Sequence, residues 1–384
     1  MATAAPSSPA RTPAARAGSV RSTARLPALR HVGPQWYAAV MGTAIVASAG
    51  AALPLPAAAR PALVLVWTAS ALLLLAVATA RAGHWLHHRD QARAHLLDPA
   101  VAPFYGCAAM APLAVAAGAL SVGRDVLGPA AVPVAAALFA VGCALAVTAA
   151  VAVPYLLVVR HRPAPGTATP VWLLPLVAPM VAAAVGPLLA LHLPEGEGRR
   201  TLLAASLGLF GLSLLATAVV VPLVFARLVH HGPLPLALTP SLFLVLGPLG
   251  QSTTAAGHLA DAARVPYGDA LAVLYGVPVL GFALLWLALA GAMVVRAVRR
   301  GLPFTLSWWA FTFPVGTCVT GAAGLAHRTE LSAFAGLAAV LYALLVTAWA
   351  VTGVRTVRGL LSGALLRAPL PAPGAPSPAT ARTT

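Results

Sequence analysis

The chain has 384 residues, of which 60% are hydrophobic and 8% charged, with a mean hydropathy of +0.89. A soluble domain carries about 25% charged residues, so the composition excludes a water-soluble globular fold and predicts an all-α polytopic membrane protein. The net charge of +16 sits in tails and turns, not in a basic stripe interleaved with aromatics, which argues against a nucleic-acid partner.

Residues 1–33 are rich in Ala, Pro, Ser and Arg, with no apolar h-region before the first span. They read as a disordered basic cytoplasmic tail rather than a cleavable signal peptide. Hydropathy then predicts ten spans, at about 35–54, 61–82, 104–122, 132–159, 170–193, 201–228, 239–261, 270–295, 304–326 and 331–354. Residues 34–355 form the membrane domain, and 356–384 return to a Pro/Ala/Arg tail, also read as disordered and cytoplasmic.

Charge orients these spans. With the first tail inside, 18 arginines fall on the inner side and 6 on the outer side, as the positive-inside rule requires. Only Asp90 and Asp98 are inner acids; Asp125, Glu195, Glu197, Asp261, Asp269 and Glu330 are outer. The expected location is the plasma membrane, with both termini cytoplasmic. All 24 basic residues are arginine in an alanine-rich chain, a usage associated with GC-rich bacterial genomes.

Each odd-numbered span is preceded or opened by a proline: Pro34, Pro103, Pro170, Pro240 and Pro303, at steps of 69, 67, 70 and 63 residues. Such a period predicts five equivalent helical hairpins in parallel orientation, able to close around a central pore. The odd spans are also the irregular ones. Gly42-Thr43, Pro112, Pro179, Gly247-Pro248 and Pro314 interrupt them, whereas most even spans are smooth Ala/Leu/Val runs. Broken backbone at membrane depth is tolerated where it is buried in protein or lines a cavity. The odd spans are therefore expected inside and the even spans toward the lipid bilayer.

The stretch from Pro303 to Cys318, which opens span 9, carries Trp308-Trp309, several hydroxyls and Pro314. Phe313 lies ten residues after Pro303, about 15 Å along a helix, near the middle of a hydrocarbon core about 30 Å thick. At helical spacing Trp309, Phe313, Gly316, Thr317 and Thr320 share a face. That stripe suits tight helix packing or a pore with a hydrophobic plug. In span 7, Gln251, Ser252, Thr253 and Thr254 follow the break at Pro248. They suit either a pause site for a dehydrated anion or interhelical hydrogen bonding. The candidate gate is Phe313. The candidate pore-lining residues are Gly42, Thr43, Pro112, Pro179, Pro248, Gln251, Ser252, Pro314, Thr317 and Thr320.

No acid lies well inside a span, and no nucleophile–base arrangement or phosphate loop is present, so no catalytic residues and no cofactor are expected. Cys107, Cys143 and Cys318 all fall in apolar spans without a CxxC spacing and read as core residues. His84, His87 and His88, in the inner loop after span 2, read as a wet interfacial cap with Trp85 as anchor rather than as a metal site.

The segment Trp36-Tyr37-Ala38-Ala39-Val40-Met41-Gly42-Thr43-Ala44-Ile45 resembles the first-span signature of the tellurite-resistance/dicarboxylate transporter family. This family lies within the voltage-dependent anion channel superfamily. It includes tellurite-resistance channel homologues, plant slow-type anion channels and fungal malate and sulfite transporters. Asp98-Pro99, Pro240-Ser241-Leu242-Phe243 with Gly247-Pro248, and Ser307-Trp308-Trp309-Ala310-Phe311-Thr312-Phe313-Pro314 are similar to that family's segments in order and spacing, over about residues 34–355. The resemblance implies ten helices in five hairpins, one pore per protomer, a homotrimer and a phenylalanine plug at Phe313. It implies transport of small anions or C4-dicarboxylates, passively or as a proton-coupled sulfite or dicarboxylate exporter. Met41-Gly42-Thr43 is more similar to the sulfite and malate branch than to the plant channels.

Overall fold

A computed structural model describes residue 30 and residues 32–366 of the chain. The expectations for 1–29 and 367–384, most of both tails, lie outside the described residues. Within them the protein is helical, with no strand.

The helices in order are α1 (Tyr37–Ala51), α2 (Arg60–His87), α3 (Arg89–Leu97), α4 (Tyr105–Ser121), α5 (Arg124–Leu127) and α6 (Ala131–Leu156). They continue as α7 (Leu173–Ala190), α8 (Glu197–His231), α9 (Leu246–Ala263), α10 (Gly268–Arg299), α11 (Phe313–Thr329) and α12 (Ser332–Leu361). The last helix runs six residues past 355, into the stretch read as tail.

Eight helical segments are long and apolar enough to cross a membrane, where the sequence predicts ten spans. The two others fall short for different reasons. In span 1, α1 has only 15 residues, about 22 Å of helix. In span 7, α9 has 18 residues but carries Gln251, Ser252, Thr253, Thr254, His258 and Asp261.

Helices divide sharply by burial. In the most apolar stretch of the segment Pro170–Ala190, which contains α7, 89% of residues are buried, against 17% in α12. Helices α1, α4, α7, α9 and α11 are the buried set, and we call them the ring. Each touches the next, and α11 touches α1. Each also packs on a long outer helix: α1 on α2, α4 on α6, α7 on α8, α9 on α10 and α11 on α12.

Proline sets how ring helices begin. Pro34, Pro103 and Pro170 lie in three-residue 3₁₀ turns directly before α1, α4 and α7. Pro240 lies in the 3₁₀ segment Leu236–Val245 before α9, and Pro303 stands three residues before the 3₁₀ segment Leu306–Phe311 that precedes α11. A proline in the first turn gives up an N–H that has no intrahelical partner there. No side chain caps the first turns of α1, α4 or α7, whose N-cap residues are Trp36, Phe104 and Trp172. The tighter 3₁₀ turns take over that role.

Tryptophan N–H groups fasten the outer helices to the ring. Trp67 of α2 donates to Val115 O of α4 at 3.1 Å. Trp286 of α10 donates to Leu242 O at 2.9 Å, and Trp349 of α12 to Thr43 Oγ1 of α1 at 3.2 Å. A buried indole N–H needs such an acceptor.

Candidate functional site

The stretch around Phe313 is not the continuous helix expected over 304–326. The chain runs extended at Thr305, forms the 3₁₀ segment Leu306–Phe311, turns at Thr312 (φ −97°, ψ −77°), and only then starts α11 at Phe313. Pro314 is the reason. In an unbroken helix it would deprive Ala310 O of its donor and clash with it; at the second position of a new helix it costs nothing. The stripe from Trp309 to Thr320 is therefore broken. Trp309 belongs to the 3₁₀ turn and donates to Thr356 Oγ1 of α12 at 3.1 Å. One residue earlier, Trp308 lies under the Arg355 guanidinium, 4.5 Å from its ring centre.

Phe313 is 2% exposed. It borders a cavity of about 10 Å³ together with Met41 of α1, Met110 of α4, Leu174 and Val177 of α7, and Gly247 of α9. Every ring helix thus contributes to its wall, near its own N-terminal end, so the five helices run in one direction. About 10–15 Å³ is the least that holds a single water, so at Phe313 the ring is closed. A second cavity of about 30 Å³ shares Met41, Leu174, Leu244 and Pro314 with the first and extends past Cys107, Ser241, Ser307 and Trp309. No charged residue lines either space. The α-helical turns of α7, α9 and α11 begin at this level, at Leu173, Leu246 and Phe313. Helix N-termini carry partial positive charge.

Other candidate residues from the sequence occupy helix interfaces. A side chain at Gly42 would run into Thr312 and Trp309 Cε3, so this glycine seats the turn before Phe313 against α1. Thr43 donates to Ala39 O at 2.7 Å and accepts from Trp349. Pro112, Pro179 and Pro248 are buried in α4, α7 and α9. Gln251 is buried in α9, and Ser252 donates to Leu249 O of its own helix at 3.0 Å. Thr317 is fully buried, donates to Pro314 O at 2.7 Å and lies 3.4 Å from Gly247 O. Thr320 Oγ1 meets Thr254 Oγ1 at 2.7 Å, a hydroxyl pair between α9 and α11. Of the candidate set, Phe313 and Pro314 border the cavity; Met41, Met110, Leu174 and Gly247 join them without having been singled out. Their signal was positional: each lies within six residues of a ring helix's first α-helical residue.

Two arginines are buried at opposite ends of the ring. Arg328, whose side chain is 7% exposed, pairs with Asp261 and with Asp269 (3.1 Å) and donates to Gly257 O at 2.8 Å. Arg81, 5% exposed, has neutral partners: Val32 O at 2.7 Å and Tyr105 Oη at 3.2 Å. Beyond Arg81, the rings of His84 and His95 stack at 5.2 Å, and His84 and His88 lie 6.2 Å apart. Among the described residues no group of three His, Cys, Asp or Glu is arranged to hold a metal ion. Asp90 in α3 has its carboxyl held below the usual range, first by a hydrogen bond from the Gln91 backbone and further by Arg30 at 3.6 Å.

Long apolar helices around a closed, uncharged constriction define a multi-span membrane protein. The family model for the voltage-dependent anion channel (SLAC1) matches residues 31–357, and the chain belongs to that family of anion transporters and channels. It is 26% identical over 348 residues to an uncharacterized transporter of Methanocaldococcus jannaschii, covering 89% of this chain and 97% of that protein. It is 30% identical over 234 residues to the sulfite efflux pump SSU1 of Trichophyton rubrum, covering 57% of this chain and 61% of the pump. To the sulfite efflux pump SSU1 of Arthroderma otae it is 34% identical over 181 residues, covering 44% and 48%.

Proposed function

We propose that the protein passes small anions along the axis of the ring, with Phe313 as the plug that must swing aside. The observation that carries this is the cavity of about 10 Å³ at Phe313, walled by all five ring helices. A conduit without charged side chains lets an anion leave as readily as it enters. Its preference for anions comes from the helix N-termini around the constriction. In this reading ten helices form five hairpins, α1 and α9 crossing the bilayer within the shelter of the ring. Both termini are cytoplasmic in a bacterial plasma membrane, and three copies assemble. The sulfite efflux pumps among its relatives favour a small oxyanion such as sulfite over a C4-dicarboxylate as cargo.

The test is anion flux into liposomes holding Phe313→Ala. Removing the ring should raise flux several-fold, with an unchanged size-exclusion profile. Equal flux through a well-folded variant would reject the plug. The word pump in the relatives' names supports a second reading, proton-coupled export. A passive channel's reversal potential follows the anion alone, whereas a coupled carrier's shifts with an imposed pH gradient.

A further inference from the structure

Between α8 and α10 runs a surface groove that the transport pathway does not use. Its middle part, of about 280 Å³, lies between Phe225 and Val229 of α8 and Trp286 and Met293 of α10, with Leu242 as its floor. It continues at Pro233 and Met293 into a second hollow of about 320 Å³, whose mouth is formed by Arg296 and Arg300. From Trp286 to Met293 the apolar part spans about 10 Å of helix. The arginines follow one and two turns further on. Among the described residues neither forms an ion pair, whereas nearby Arg227 is engaged with Gly232 O at 2.5 Å.

We propose that this groove is a binding site for an anionic glycerophospholipid of the adjacent leaflet. The phosphate sits between Arg296 and Arg300, and one acyl chain lies along Trp286. Charge complementarity selects the occupant: guanidinium groups bind phosphate through paired hydrogen bonds, and they stand where an apolar channel meets the headgroup layer. The floor of the groove gives the site a consequence. The segment Leu236–Val245 is a ten-residue 3₁₀ helix, far longer than the usual three or four residues. In a 3₁₀ helix residues three apart share a face. Leu236, Thr239 and Leu242 face the groove, and Leu238, Ser241 and Leu244 face the wider cavity beside Phe313. On the third face, Phe243 meets Phe311 at 4.9 Å and Ala237 O accepts from Ser307 at 2.8 Å. A lipid in the groove therefore braces the outside of a wall whose inside borders the constriction.

The experiment uses the full chain, delipidated and returned to phosphatidylcholine with or without phosphatidylglycerol. Bound lipid is read by native mass spectrometry, separately from flux. Wild type should retain phosphatidylglycerol about thirtyfold better than R296Q/R300Q, the factor expected for two arginines near a membrane surface. Val229→Trp, which fills the groove from an exposed position while keeping both arginines, should lose the lipid as well. Phosphatidylglycerol should raise wild-type flux and leave both variants at their phosphatidylcholine level. Equal retention by wild type and R296Q/R300Q would overturn the site. So would equal stimulation of flux, which would report bulk surface charge. Displacement of the lipid by inorganic phosphate, or a smaller particle for Val229→Trp with lipid retained, would assign the groove to a free anion or to a second copy of the chain.

Discussion

Glycine does opposite things in the ring and on the outward faces of the sleeve of outer helices around it. In the ring, a Cβ at Gly250 of α9 would lie 2.5 Å from Cys318 N of α11, and one at Gly106 of α4 would overlap the Leu174 carbonyl of α7. Both obstacles are backbone and cannot turn away. In the sleeve, a Cβ at Gly208 of α8 or Gly281 of α10 would meet nothing within 4 Å. Ring helices have neighbours on several sides, so their spacing is fixed by the smallest residue. Sleeve helices have one packed face and are otherwise free. The densest runs of proline and glycine lie in the first setting, where surrounding helices hold the backbone and accept its unpaired groups, although single prolines, Pro154, Pro222 and Pro278, also lie inside α6, α8 and α10.

The sharpest way to break that contrast is Gly250→Val. Two methyls and a Cβ would have to fit where α9 and α11 touch, and overpacking of this kind costs about 1–3 kcal/mol or more. Expected is a large fall in the melting temperature in detergent, with loss of flux. A variant that melts like wild type would mean that α9 and α11 are further apart than described.

An intermediate effect should come from the links between the two layers. Trp349→Phe keeps an aromatic side chain, smaller than indole, and removes the N–H that reaches Thr43 Oγ1 across α12 and α1. Thr43 keeps its own bond to Ala39 O, so the polar part of the loss is one interhelical hydrogen bond, about 0.6–1 kcal/mol in a membrane protein. Combining it with Thr43→Val in a double-mutant cycle isolates the term: additive losses in melting temperature would show that the two groups do not interact.

The two layers also differed in how far they could be read from sequence. The long sleeve helices follow directly from long apolar runs such as 201–228, the body of α8. Prolines and glycines place the ring helices inside, and α1, α4 and α7 start within three residues of the expected spans, whereas α9 and α11 start seven and nine residues later. Hydropathy cannot distinguish an α-helical turn from a 3₁₀ turn of the same composition, so the expected spans 239–261 and 304–326 take in most of the 3₁₀ segment Leu236–Val245 and all of Leu306–Phe311. Phe313 was singled out by depth and by resemblance, and it does border the constriction. Its companions Met41, Met110 and Leu174 went unnoticed, because the side chains facing a closed constriction are apolar and look like any core residue. The hydroxyls of Thr317 and Thr320 attracted attention as polar lining, yet their bonds run to Pro314 O and to Thr254, along and between ring helices. What was missing is rotation: which way each helix faces depends on its start, and the 3₁₀ turns shift that start.

The smallest effect is the most discriminating for assembly. Gly208→Ala puts a methyl on an exposed part of α8 where nothing lies within 4 Å. Within a single copy it should be neutral or slightly stabilising, since alanine in a helix interior is favoured over glycine by about 0.5–1 kcal/mol. Flux should not change. The same substitution is disruptive if that face of α8 packs closely on another protomer, because small residues are what allow membrane helices to approach. A normal melting temperature together with a smaller particle in size-exclusion chromatography would therefore place Gly208 in a subunit contact. An unchanged particle would leave this part of the sleeve to lipid, and would confine the close glycine contacts to the ring and the faces packed on it, as at Gly142 of α6 and Gly276 of α10.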